Sequence, residues 1–277
     1  MERKEDKMGI YEEIGLQKEF DLINKELGRE EYNPLENKEK YKKELMDGLI
    51  DCIKRDTKMS YNLLKIASEA INFFINHGEE KPDDLVKIIN DNTYLICKTF
   101  QEIQMQSIIL NRKLDNYKDQ FDKIDIINSA QKRYQDLVES VSKKVSILMQ
   151  IYNLSAYKFS NRDIKDTLNN KIIKLEMTGE LPFLTKHINR FVRNKISHFN
   201  CYFNYENNEF LDSDKKFICS MEEFKEYNIE VAAIEYGFMI ATDVIALLSI
   251  NEIKAAEEYF NLIEAYVIQK EELENTN

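Results

Sequence analysis

Pro182-Phe183-Leu184-Thr185-Lys186-His187-Ile188-Asn189-Arg190-Phe191-Val192-Arg193-Asn194-Lys195-Ile196-Ser197-His198-Phe199 has the spacing of one amphipathic helix. Pro182 suits its first turn. At roughly 100° per residue, Leu184, Ile188, Phe191, Val192, Ile196 and Phe199 share one broad apolar face. Arg190, Arg193, Asn194, Ser197 and His198 fall on the opposite side, within roughly 140° of arc. Asn194 and His198, four apart, stack along one line, with Arg193 and Ser197 stacked beside them. The period then changes. Residues 199–205 are aromatic and strand-like, Glu206-Asn207-Asn208 has the composition of a turn, and Lys215 to Cys219 suits a second strand. A helix followed by a small hairpin, inside an otherwise helical chain, is the fold this stretch predicts.

The flanking sequence is helical on both sides. Apolar spacing predicts a first helix over about 9–28, broken by Asn33-Pro34. A long helix is predicted over about 37–76, with His77 at its C-terminus meeting unsatisfied carbonyls. Helical spacing runs from Asp83 to about Ser155, divided near 115–125. Another helix covers about 162–178 and stops at Gly179. After the hairpin, Ser220 and Glu223 form a capping box that opens a helix from Met221 to Ile250. A last helix covers 251–273. Its predecessor contains the most apolar window, 231–250, but Glu235 and Asp243 within it favour a buried core helix over a membrane span. No fixed-period repeat is present.

Scarce turn residues agree with long helices: 7 Gly and 3 Pro among 277 residues, with 43% hydrophobic residues to bury. The net charge of −11 argues against a protein that binds nucleic acid over its whole surface. The charge is uneven. Residues 158–198 hold nine Lys or Arg and four Asp or Glu, whereas 199–277 hold five and seventeen. The polar stripe thus sits in a basic segment of an acidic chain, which suits either a phosphate-attracting patch or two segments neutralising each other. Cys52, Cys97, Cys201 and Cys219 have neither metal-finger nor redox spacing. The charged N-terminus lacks a signal-like apolar region, so a reduced, cytoplasmic protein with no membrane segment is expected.

Only three histidines are present, His77, His187 and His198, so proton chemistry near neutral pH has few places to occur. Glycine-rich phosphate loops, serine nucleophile elbows and His-Glu-x-x-His zinc helices are absent. Neither a metal nor a cofactor is expected. His187, eleven residues before His198, lies about 16 Å from it along a continuous helix and is given a packing or surface role. Glu235 is read as a core-edge carboxylate, with a place beside the polar stripe as the other reading. Tyr202 and Tyr205 suit packing, or stacking on bases.

Arg193-Asn194-Lys195-Ile196-Ser197-His198 resembles the signature of the HEPN superfamily: an Arg, a polar residue such as Asn, and a His after four to six intervening residues. The resemblance implies an all-α bundle, here over residues 81–277 with 1–80 as an N-terminal helical extension. It also implies a homodimer and a metal-independent endoribonuclease of the kind found in toxin–antitoxin modules and antiviral defence. On that reading Arg193, Asn194 and His198 are catalytic, and Lys186, Arg190, Lys195 and Ser197 contact RNA. The chemistry fits the residue types. A near-neutral imidazole exchanges protons, a guanidinium clamps phosphate oxygens, and Asn194 orients the ring or donates to phosphate. Facing stripes in a dimer supply two His198, one as base and one as acid. The partners implied are RNA, a second copy, and an antitoxin or regulatory protein. The alternative reading is an inactive HEPN-like module that binds RNA, a nucleotide or a protein. A helical interaction protein is a third.

Overall fold

Helix boundaries here are decided by side chains that compete with backbone hydrogen bonds. A computed structural model describes residues 17–26, 36–189, 192, 195–196 and 201–275, with main chain only at 19 and 275. The described elements are α1 (Gln17–Glu26), α2 (Lys38–Arg55), α3 (Lys58–Gly78), α4 (Pro82–Asp91), α5 (Thr93–Asp115), α6 (Gln120–Ser155), α7 (Asn161–Ile164), α8 (Leu168–Glu176), α9 (Pro182–Lys186), β1 (Cys201–Asn204), β2 (Glu209–Asp212), β3 (Phe217–Ser220), α10 (Met221–Ser249) and α11 (Ile253–Asn275).

Several predicted helices are divided. The one expected over 37–76 is α2 and α3. Asp56 takes a left-handed conformation, φ 47°, and the Thr57 hydroxyl caps α3 by accepting from the Ser60 amide. Tyr266 and Lys270 of α11 donate to the Asp56 carboxylate at 2.7 and 2.6 Å, which holds the corner. A second break, at Asn92, separates α4 from α5; there the Asn92 amide donates back to the Ile88 carbonyl at 2.8 Å and competes with the ladder. The expected division near 115–125 falls at 116–119, where Asp119 and Asp122 make a capping box. The predicted 162–178 helix is α7 and α8, with Gly179 at φ +78° beyond it. The Ser220–Glu223 capping box opens α10 as expected.

The core is one cluster of buried apolar side chains running from Leu49 to Val267. Its centre is α3 against α10. Gly237 makes that approach possible: a Cβ there would lie 2.6 Å from the Leu63 carbonyl oxygen and 2.9 Å from Ile66 Cγ2. Phe74 meets Phe238 edge-on at 6.0 Å in the same seam. Thus α3, assigned in sequence to the extension, lies in the middle of the packing. α10 is the one described helix long and apolar enough to cross a membrane, and most of that window is buried against its neighbours.

Glu235 is wholly inside. Its carboxylate pairs with Lys144 at 2.8 Å and accepts from Ser140 at 2.7 Å; Lys144 also donates to Ser140 and Thr99. Burial of Lys144 pushes its pKa down, with Glu235 opposing. The network joins α5, α6 and α10, and Glu235 is a core residue, not a core-edge one.

The expected hairpin is a three-stranded antiparallel meander, ordered β1-β2-β3, with a bulge between Phe210 and Leu211. The middle strand, Glu209-Phe210-Leu211-Asp212, was not predicted because four residues with acidic ends carry little strand signal. Phe203 and Phe210 pair across β1 and β2, and Phe210 packs on Phe224 at 4.6 Å, so the sheet is seated by an aromatic ladder on the start of α10.

Two predictions follow from this packing. Gly237→Ala is expected to lower unfolding free energy in urea by about 2 kcal/mol, because a backbone oxygen cannot move aside. Gly48→Ala, where an added methyl meets nothing within 4 Å, gains up to about 1 kcal/mol from helix propensity. Asp243 is the second case. Burial raises its pKa from 3.8 to about 7, opposed by the Tyr259 hydroxyl. The folded state therefore binds its proton more tightly than the unfolded chain does. That contribution is full below pH about 4 and is lost as pH rises through about 7. Melting temperature plotted against pH should fall across this window more steeply in the wild type than in Asp243→Asn; parallel curves would refute the assignment.

Candidate functional site

The segment expected as one helix from Pro182 to Phe199 starts as predicted and then stops. α9 opens with Pro182 in its first turn but has no side-chain cap of its own, since Leu181 precedes it at φ 53°. Glu69 of α3 replaces the cap: its carboxylate accepts from the Phe183 amide at 3.0 and 3.1 Å and from the Leu184 amide at 3.0 Å. Burial pushes the Glu69 pKa up, and the two amides pull against it.

α9 ends at Lys186 because of His187. The His187 ring donates from Nδ1 to the Phe183 carbonyl at 2.7 Å. That is the carbonyl four residues back, which a continuing helix would give to the His187 backbone amide. The amide turns instead to Leu184 at 3.3 Å. Asn189 then accepts from the Val192 amide through Oδ1 at 3.1 Å, a fresh N-cap, and Val192, Lys195 and Ile196 are helical. The 16 Å helical separation between His187 and His198 therefore does not apply. His187 is buried, 6% exposed, with its pKa pushed down chiefly by burial. Of the packing and surface roles expected for it, burial supports packing.

Four residues of the predicted apolar face, Leu184, Ile188, Val192 and Ile196, are buried, and Phe191 and Phe199 lie outside the described residues. The polar half is reached in part. Arg190, Arg193, Asn194, Ser197 and His198 lie outside the described residues. Lys195 is described, and its ammonium pairs with Asp212 at 2.9 Å. Asp212 also accepts from the Asp214 and Lys216 amides, and the Lys195 pairing leads in holding its carboxyl below the usual range. Gln135 of α6 donates to the Ile196 carbonyl at 3.0 Å. Residues 195 and 196 are therefore fastened on one side to α6 and on the other to β2. Elsewhere in the basic segment, Lys174 pairs with Asp163 and Asp166, and Lys171 is buried among serine and carbonyl oxygens. Lys186 is exposed, its ammonium 4.7 Å from the centre of the Phe183 ring. Tyr202 is exposed, whereas Tyr205 packs edge-on to Phe203 at 5.0 Å.

A cleft of about 660 Å³ adjoins α9, within the range typical of ligand sites. Lys58, Tyr61 and Asn62 come to it from α3, and Phe183, Lys186 and His187 from α9 and its end. Glu230 of α10 and Glu271 and Glu274 of α11 form the acidic side. Sequence reading missed Glu69 and Asp212, whose partners Phe183 and Lys195 lie on other segments, and Asn62, which only the packing places at the cleft. Asn189 carried a local signal, a preferred N-cap residue, but the apolar period running through it concealed the break.

His77 differs from its expected role at carbonyl groups. Its ring joins Ser155 Oγ at 2.5 Å and the Glu180 carboxylate at 2.9 Å, between the rings of Phe73 and Tyr152. This ties α3 to the end of α6 and to the strand of chain entering α9. Among the described residues, no three His, Cys, Asp or Glu side chains cluster so as to hold a metal ion.

Removing the Glu69 carboxylate tests how α9 is held. Glu69→Ala is expected to cost about 1–2 kcal/mol and to speed hydrogen exchange at the Phe183 and Leu184 amides while α10 stays protected; unchanged exchange there would show that the cap is not needed. Set against family models, curated proteins and solved structures, the chain matches none of them.

Proposed function

We propose that the protein is a metal-independent endoribonuclease of HEPN type, working as a homodimer in the cytoplasm in a toxin or antiviral-defence role. The observation that carries this reading is the Arg193-Asn194-x3-His198 spacing in a segment whose helical neighbours Val192 and Ile196 are buried and whose flanks are anchored by Asn189, Gln135 and Asp212.

RNA brings its own nucleophile. One His198 takes the proton of the 2′-hydroxyl, and the oxygen attacks phosphorus. The bond to the 5′-oxygen breaks as the second copy's His198 returns a proton to it. Arg193 holds the phosphate oxygens through the charge-rich stage. Asn194 orients the imidazole or donates to phosphate. Arg190, Ser197 and Lys186 position the RNA backbone. Lys195 takes part after exchanging Asp212 for phosphate. An antitoxin or other regulator would hold the activity in check.

The test is incubation of the purified protein with mixed RNAs in excess chelator. Products ending in 2′,3′-cyclic phosphate are expected, with rates lower by about a hundredfold or more in both His198→Ala and Arg193→Ala. RNA bound but left intact by the wild type identifies a non-catalytic module instead. A protein that remains monomeric at high concentration while cleaving RNA removes the shared dimer site.

A further inference from the structure

His77, Ser155 and Glu180 form a relay that the nuclease chemistry does not use. A carboxylate can only accept, so in the neutral ring the His77 proton is on Nε2, 2.9 Å from Glu180 Oε2. Nδ1 then keeps a lone pair, and it faces Ser155 Oγ at 2.5 Å. Two aromatic rings hold the imidazole in this pose. Phe73, one turn earlier on α3, and Tyr152, three residues before Ser155 on α6, have their ring centres 4.4 and 4.7 Å from that of His77. His77 is buried, whereas Ser155 is exposed at the end of α6. A hydroxyl at the surface, an imidazole behind it and a carboxylate behind the imidazole is the order that activates a serine. The two ring nitrogens are used in the opposite sense to the chymotrypsin arrangement, and either can serve as the base once the other is held by an acid. A cation adjoins the hydroxyl. The Lys81 ammonium donates at 2.5 Å to the carbonyl of Leu154, the residue before Ser155.

We propose that Ser155, His77 and Glu180 are an acyl-transfer site that hydrolyses small carboxylic esters. Ser155 Oγ attacks the carbonyl carbon as its proton passes to His77 Nδ1. The Glu180 carboxylate then faces a charged ring, and Lys81 meets the oxyanion. Collapse breaks the bond to the alcohol oxygen, and the alcohol leaves with the proton from His77. Water, losing a proton to the same nitrogen, attacks the acyl group on Ser155; the carboxylic acid departs and Ser155 recovers its proton. Esters are the class that fits because the hydroxyl is at the surface. Little of the barrier is met there by enclosing the substrate, and an alcohol is expelled more readily than an amine. The site needs neither Arg193 nor His198 and stands whether or not the protein cleaves RNA.

The full-length protein is given p-nitrophenyl acetate and, separately, a fluorophosphonate that reacts with activated serines. Ester turnover is expected, with one label located on Ser155 by mass spectrometry of its peptides. Ser155→Ala, at an exposed position, should abolish that label and lower kcat by about a hundredfold or more. Glu180 is a positioning residue: Glu180→Gln should lower kcat with KM nearly unchanged, and Glu180→Asp should restore part of the loss. A mere tie between α3 and α6 would change the melting temperature in these variants and leave no turnover to lose. No label on Ser155, no turnover by the wild type, or wild-type turnover in Ser155→Ala overturns the proposal. His198→Ala should keep both the label and the ester activity, so a failure of RNA cleavage and a failure of this site are separately visible.

Discussion

Everything in this fold is referred to the contact of α3 with α10, and that contact exists because residue 237 has no side chain. With the Leu63 carbonyl where a Cβ would be, the two backbones approach closely and bury Ile66, Ala70, Phe74, Ala233 and Phe238 between and around them. α3 then acts as the hub. Lys65 pairs with Glu271 of α11, Glu69 caps α9, and His77 reaches Ser155 and Glu180. Three different neighbours take their positions from three polar residues of one helix.

The polar interior reaches the described part of the motif segment through α6. Ion pairs inside proteins contribute little net stability but are costly when one partner is lost. Lys144 and Glu235 meet in a buried network with Ser140 and Thr99. α6, which carries Lys144, also carries Gln135, the donor to the Ile196 carbonyl. The core and Ile196 therefore share a support in α6.

Local signals in the sequence were readable where the responsible residues are close in the chain. The division near 115–125, the capping box at Ser220, the turn at Gly179, the first-turn Pro182 and the apolar stripe of Leu184, Ile188, Val192 and Ile196 are all of this kind. The break at His187 was not readable. Its cause is a ring nitrogen taking the place of a backbone amide, and no periodicity analysis distinguishes a histidine that does so from one that does not. The middle strand escaped for a related reason: Phe210 is fixed by Phe203 and Phe224 and not by any pattern within its own four residues.

By itself the sequence determined that the chain is helical, where most helices begin, which face of the motif segment is apolar, and that an Arg and a His stand at HEPN-like spacing. These follow from propensity, capping and period, which act within a few residues. Only the tertiary structure decided that Lys195 is paired with Asp212, that Glu69 closes α9, that Asn62 is left facing a cleft, and that Glu235 is a core residue. Those outcomes depend on groups brought together from separate elements, and the balance of desolvation against partner is settled only once the packing is complete.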